Sequence, residues 1–282
     1  MNCLGIDFED WYHPYLLQNY LKDKKHVPKM FQGIDKIINL LRKNDTIATF
    51  FVVGELLEAN PEIFDKIIEN GHEIGFHTMY HTHLDSKNYE QNFNNELKTF
   101  SKLTKNKSKG FRAPTFSLNK KSSWIIDSLL KYDYVYDSSI VPAKTALYGH
   151  PNACKQPYRI TSNCIEEDNP IDGKLIEFPL LVTKFLGKTI PAAGGFFLRT
   201  LPLKIIKNAI KIYEENTIPA SLYIHSWELT PEYMPKIELP LKENFVTYHN
   251  LNKTYERMNK ILETFEFSSF ENYISNGVNL SN

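Results

Sequence analysis

The sequence predicts an α/β fold in which βα units build a largely parallel sheet or barrel. Three observations lead there. Short β-branched and aromatic runs alternate with runs of helical periodicity, polar residues gather where the strand-like runs end, and a length of 282 residues suits one α/β barrel.

Composition narrows the function. Hydrophobic residues at 42% and charged residues at 23% form a globular mixture that argues against disorder. The 33 Lys and Arg residues balance 33 Asp and Glu residues, which removes the electrostatic case for a nucleic-acid or anionic-membrane binder. Cys3, Cys154 and Cys164 are too few and too scattered for a disulfide framework and form no CxxC. No apolar run is long enough to span a membrane. The first residues lead straight to Asp7, Glu9 and Asp10, without the basic and apolar stretch of a secretory leader, so the expected location is cytoplasmic.

Along the chain, Cys3 to Phe8 reads as the first strand. Ile34, Ile37, Ile38 and Leu41 recur at helical spacing before a turn at Asn44-Asp45. The β-branched and aromatic run 47–53 is a buried strand. Asn60-Pro61 supplies an N-cap and N1 proline for a helix carrying Ile63, Ile67 and Ile68, with Gly71 placed as C′. His72 to Phe76 forms a third strand that runs into His77. A helix with Phe93, Leu97, Phe100 and Leu103 precedes a short strand near Gly110-Phe111-Arg112. Trp124, Ile125 and Leu129 mark another helix, followed by Tyr134-Val135-Tyr136 and the turn Asp137-Ser138-Ser139. Residues from about 140 to 175 carry few periodic signals and read as a loop-rich excursion, so one barrel-like domain over 1–282 is the economical reading. Ile176 to Pro179, a helix from Leu203 to Tyr213, the strand Ser221 to Ile224 and a last helix with Leu251, Tyr255, Met258 and Leu262 complete the pattern.

Chemistry collects at the strand ends, where α/β folds place their sites. Alternation along the first strand puts Asp7 and Glu9 on one face, and two adjacent carboxylates need a cation or a proton to be buried together. His77 and His81 stand four apart, a spacing that on a helical turn brings two imidazoles onto one face. Two histidines and one carboxylate with open positions describe catalytic zinc or a non-haem iron centre. Arg112 at a strand end can hold a carboxylate, and His225, followed by Ser226-Trp227-Glu228, is a candidate general acid or base. His72 and His83 are expected outside the site.

This combination resembles the polysaccharide deacetylases, the carbohydrate esterase family that includes nodulation-factor and chitin deacetylases. Further likeness lies in Ala48 to Gly54 and in Gly71-His72-Glu73-Ile74-Gly75. The stretches Asp7 to His13, Phe111 to Pro114, Ala193 to Phe196 and His225 to Glu228 are similar to the bacterial exopolysaccharide and surface-glycan subgroup. The resemblance implies a distorted (β/α)7 barrel, TIM-barrel-like, and a divalent metal, most simply Zn2+, held by Glu9, His77 and His81. It implies Asp7 as general base, Arg112 as the residue orienting it, and His225 as general acid. An alternative reading makes Glu9 the base and Asp10 the ligand. The acidic partner of His225 has no clear counterpart, with Glu177 or Asp137 as candidates. Tyr80, Pro114, Thr115, Phe116 and Trp227, together with Tyr12 and Phe196, are expected at the sugar subsite. The substrate implied is an acetamido sugar in a glycan or a lipid-linked or nucleotide-linked precursor. A C–N hydrolase acting on a small non-sugar amide and a glycan-binding barrel without turnover are the rival readings.

Overall fold

The computed structural model describes residues 1–21 and 26–277. Its strands are β1 (Asn2–Phe8), β2 (Thr49–Val52), β3 (Glu73–Phe76), β4 (Gly110–Phe111), β5 (Tyr136–Asp137) and β6 (Tyr158–Ile160). Further along come β7 (Leu175–Glu177), β8 (Val182–Phe185), β9 (Lys188–Pro191), β10 (Ser221–His225) and β11 (Phe267–Ser268). The helices are α1 (Tyr15–Gln18), α2 (Ile34–Lys43), α3 (Gly54–Ala59), α4 (Glu62–Glu69), α5 (Tyr89–Leu103) and α6 (Ile125–Lys131). They continue with α7 (Gly195–Thr200), α8 (Leu203–Glu215), α9 (Ser226–Leu229), α10 (Leu241–Tyr248), α11 (Thr254–Leu262) and α12 (Phe270–Ser275).

Strands β10, β1, β2, β3, β4, β5 and β7 lie side by side in that order, all parallel, with β6 antiparallel on β7. Among the described residues no continuous ladder joins β7 to β10. The ring closes instead through Leu180, bridged to Ser221, with the Leu181 N–H donating to the Ser221 carbonyl at 3.0 Å. That broken seam makes the (β/α)7 barrel a distorted one.

Alternation along the strands sorts side chains into two cores. Outward residues such as Leu4, Ile6, Phe50, Val52 and Ile74 pack under the buried faces of the helices, among them Ile37, Ile38 and Leu41 of α2. Inward residues Cys3, Phe51, Tyr136 and Phe178 meet Phe270 of α12, which plugs the end of the barrel away from the site. Burying each of these large side chains contributes roughly 1.5–3 kcal/mol.

Local expectations differ from the structure in three places. α4 begins at Glu62 behind Pro61, while the Asn60 side chain turns back to the Leu56 carbonyl and caps nothing. Gly71 does follow the helix at φ +79, the left-handed C′ geometry. The excursion after β5 carries β6, and an unanticipated β8–β9 hairpin precedes α7.

Candidate active site

The site sits at the C-terminal ends of β1, β3, β4 and β10. Inward positions at the top of these strands bring Asp7, His77, Arg112 and His225 together, and Glu9 follows one step beyond β1. All five are buried or nearly so. Ser226 holds Glu9 in place: its hydroxyl accepts from the Glu9 N–H at 3.1 Å and donates to the Glu9 carbonyl at 2.5 Å.

Ligand atoms of Glu9, His77 and His81 all lie within 4.8 Å of one another, and among the described residues no other trio of His, Cys, Asp or Glu side chains does so. The His77 Nδ1–H donates to the Arg112 carbonyl at 2.7 Å, which leaves its Nε2 lone pair free. Burial above all, helped by neighbouring His81, holds the His77 pKa at about 4, so the ring is neutral as a ligand must be. Glu9 Oε2 stands 2.7 Å from His81 Nε2, yet that carboxylate oxygen and His81 Nδ1 have no hydrogen-bond partner although both are buried. Burial pushes the Glu9 carboxyl upward, but the charges of His81 and His225 outweigh it and hold the group well below the usual carboxylate range. Orphaned buried polar atoms beside two imidazoles and an ionised carboxylate fit a divalent cation.

His77 and His81 do not share a helical turn. The segment between β3 and α5 is a loop with Thr78 at φ +59 and His81 at φ +53, and this backbone folds the two rings to 5.0 Å between centroids. Asp10 stands apart from the cluster. Its carboxylate accepts the N–H groups of Trp11, Lys29 and Met30 at 2.9, 2.7 and 2.9 Å, fastening the loop after β1.

Two ion pairs flank the cluster. Arg112 Nη1 donates to Asp7 Oδ1 at 2.7 Å, while Nε and Nη2 bind the carbonyl and hydroxyl of Ser138 at 2.9 Å each. On the other side, His225 Nδ1 donates to Glu228 Oε2 at 2.7 Å, and His225 Nε2 faces Glu9 Oε1 at 3.8 Å. Burial lowers the His225 pKa, but Glu228, Glu9 and Asp7 together raise it to about 9. Arg199 Nε holds the second oxygen of Glu228 at 2.7 Å.

Glu228 therefore occupies the place expected for Glu177 or Asp137. Those two carboxyls lie on outward positions of β7 and β5, bound to the Ile140 N–H and the Ser139 hydroxyl. The spacing His-x-x-Glu at a helix start carries the signal, because a first-turn glutamate reaches back to the residue that begins the helix. Arg199 had no sequence signal.

A cleft of about 270 Å³ opens above these groups. Thr115, Phe116, Phe196 and Trp227 line it, and the Trp227 Nε1–H donates to Glu9 Oε1 at 2.8 Å while its ring stacks on His225. Tyr80 and Pro114 do not line it. Tyr80 is 57% exposed over a separate depression beside α5, because the loop turns its side chain opposite to His81, and Pro114 is packed in the turn that aims Thr115. Tyr12 hydrogen-bonds Glu55 at 3.0 Å outside the cleft. His72 packs on Phe50 outside the barrel, and His83 lies beyond the loop.

Residues 28–135 match the family described as polysaccharide deacetylase. Residues 138–275 match a second family, a domain of unknown function, DUF3473. The site straddles both matches. Glu9 precedes the first, His77, His81 and Arg112 fall within it, and His225 and Glu228 fall within the second.

The peptidoglycan-N-acetylglucosamine deacetylase of Bacillus cereus is 36% identical over 73 residues, 25% of this chain and 34% of that protein. The peptidoglycan deacetylase of Helicobacter pylori is 27% identical over 112 residues, 39% of this chain and 37% of that protein. The chain thus matches about a third of the length of these curated relatives. A crystal structure assigned as a polysaccharide deacetylase from Mycobacterium smegmatis superposes with a TM-score of 0.57 at 16% identity, over 98% of this chain and 90% of that one. An allantoinase superposes with a TM-score of 0.54 at 14% identity, over 95% and 85%. At such identities these structures share the fold alone.

Among the described residues no helix is long and apolar enough to cross a membrane.

Proposed function

We propose that the chain is a metal-dependent hydrolase that removes N-acetyl groups from an acetamido sugar of a glycan or glycan precursor in surface-polysaccharide synthesis. One observation carries the reading. Glu9, His77 and His81 converge between a carboxylate locked by arginine and an imidazole locked by glutamate. A divalent ion in that trio, zinc by the chemistry of its donors, supplies Lewis acidity that makes water acidic near neutral pH and polarises a carbonyl.

The remaining steps belong to the chain. Asp7 accepts the proton of the attacking water, and Arg112 keeps its carboxylate aimed. Thr115, at φ +55 on the cleft edge, stands where a backbone N–H can meet the developing oxyanion. His225 carries a proton on Nε2 toward the departing amine, which must leave neutral, while Glu228 binds Nδ1–H and fixes the ring. Phe196 and Trp227 offer faces on which a pyranose ring packs.

Acetate release from acetamido sugars, set against small cyclic amides, tests the proposal. Turnover of the sugars supports it. Turnover of the cyclic amides alone overturns the substrate class.

A further inference from the structure

Segments from around the barrel mouth wall the candidate site. The segment after β1 supplies the first part as a strap: Pro14, Tyr15 and Leu16 line the cleft. His13 Nε2 meets Glu55 Oε1 at 2.7 Å, the His13 ring stacks on His81 at 5.7 Å, and the Tyr15 ring reaches His83 at 5.5 Å. His83 borders Phe116 and Leu147 in the adjoining depression, so the strap meets the next stretch of wall. There the turn after β4 and the excursion after β5 abut, with the Phe116 and Tyr148 rings 5.1 Å apart.

Helices α7 and α10 build the far side. Phe196 and Phe197 of α7 face the cleft beside Val246 and Thr247 of α10, and Arg199 ties the two helices through 2.7 Å and 3.1 Å bonds to the Val246 and Thr247 carbonyls. Trp227 closes the circle, packed in one cluster with Trp11 of the strap. Polar catalytic candidates form the floor, and the space of about 270 Å³ lies under the roughly 300–1,000 Å³ of pockets for drug-sized ligands.

A sugar in the interior of a polymer has a neighbour on each side and needs a groove open at two ends. A ring-walled pit has only its mouth. We infer that this pit takes the acetamido sugar at the end of a glycan chain, inserted end-on, and excludes interior units. The inference rests on the deacetylase reading and adds the position of the sugar that is hydrolysed.

The test uses the full chain loaded with zinc and fully acetylated N-acetylglucosamine oligomers of increasing length, with acetate counted and the free amine located by fragmentation mass spectrometry. One acetate per chain at every length, always from a terminal unit, is the expected result. A double variant, Tyr15→Ala with Leu147→Ala, trims two wall side chains that are 45% and 48% exposed, so the fold tolerates it. It is expected to release acetate from interior units as well. Interior deacetylation by the unaltered protein overturns end-on entry while leaving the deacetylase reading intact. A double variant still confined to terminal units overturns the role of the wall. Zinc-loaded protein that releases no acetate from any oligomer defeats the deacetylase reading, and this inference with it.

Discussion

Arg112 Nη1 lies 2.7 Å from Asp7 Oδ1, and both side chains are sealed from solvent. The guanidinium reaches that position over Gly5, where a Cβ would stand 2.4 Å from Nη1, and lies 4.1 Å above the Phe51 ring. Removing one member of a buried pair leaves the other charge uncompensated, at a cost of about 3–5 kcal/mol. Arg112→Ala is therefore expected to lose stability on that scale together with activity, as denaturant unfolding would record. Gly5→Ala should lose stability by crowding the guanidinium, with the sequence of the ion pair untouched.

Asp7→Asn keeps the shape of the side chain and removes its ability to take a proton. Turnover is expected to fall roughly 10²–10⁴-fold, the worth of a general base, with the bound metal retained. Retained turnover would assign the base elsewhere.

Glu228→Gln withdraws the carboxylate from His225 Nδ1 and from Arg199 Nε. The expected result is a fall in kcat of at least about tenfold, short of the roughly 10⁴-fold that a whole general acid supplies. Zinc content and melting temperature, measured alongside, separate a misaligned imidazole from a damaged fold.

Glu73 provides a pH signature at the opposite end of the barrel. Burial raises its carboxyl to about 7 despite hydrogen bonds from Thr49, Tyr136 and the Glu271 N–H. The folded state then binds the proton more tightly than the unfolded state. Its contribution is complete below the ordinary value of 4.5 and is lost as pH rises toward 7, a difference of about 3 kcal/mol. Unfolding of the natural chain at pH 5 and pH 8 should show a drop that includes this share, and Glu73→Gln should shrink it by about that amount. Equal drops in both proteins would contradict the assignment.

Much of this architecture is legible in the sequence because its signals are local. Strand alternation places Asp7 inward, β-branched runs mark β2, and polar residues at strand ends point to one end of the barrel. What is illegible depends on backbone geometry and distant contacts. The helical reading of His77 and His81 fails because two left-handed residues build a loop there. Tyr80 shares that loop yet faces away, and nothing in its neighbours' identity says so. Arg199 gains its meaning from Glu228 and from carbonyls of Val246, Thr247 and His249, almost fifty residues downstream. Glu228 was within reach, since a glutamate three residues after a helix-starting histidine is itself a local pattern.

The central claim is that Glu9, His77 and His81 hold one divalent ion. Equilibrium dialysis against zinc, followed by metal analysis, measures it directly in the full chain and in His77→Ala, His81→Ala and Glu9→Ala. The account predicts one tightly held ion per chain, with retention lost in each variant. An intact trio that binds no zinc or other divalent ion would contradict it.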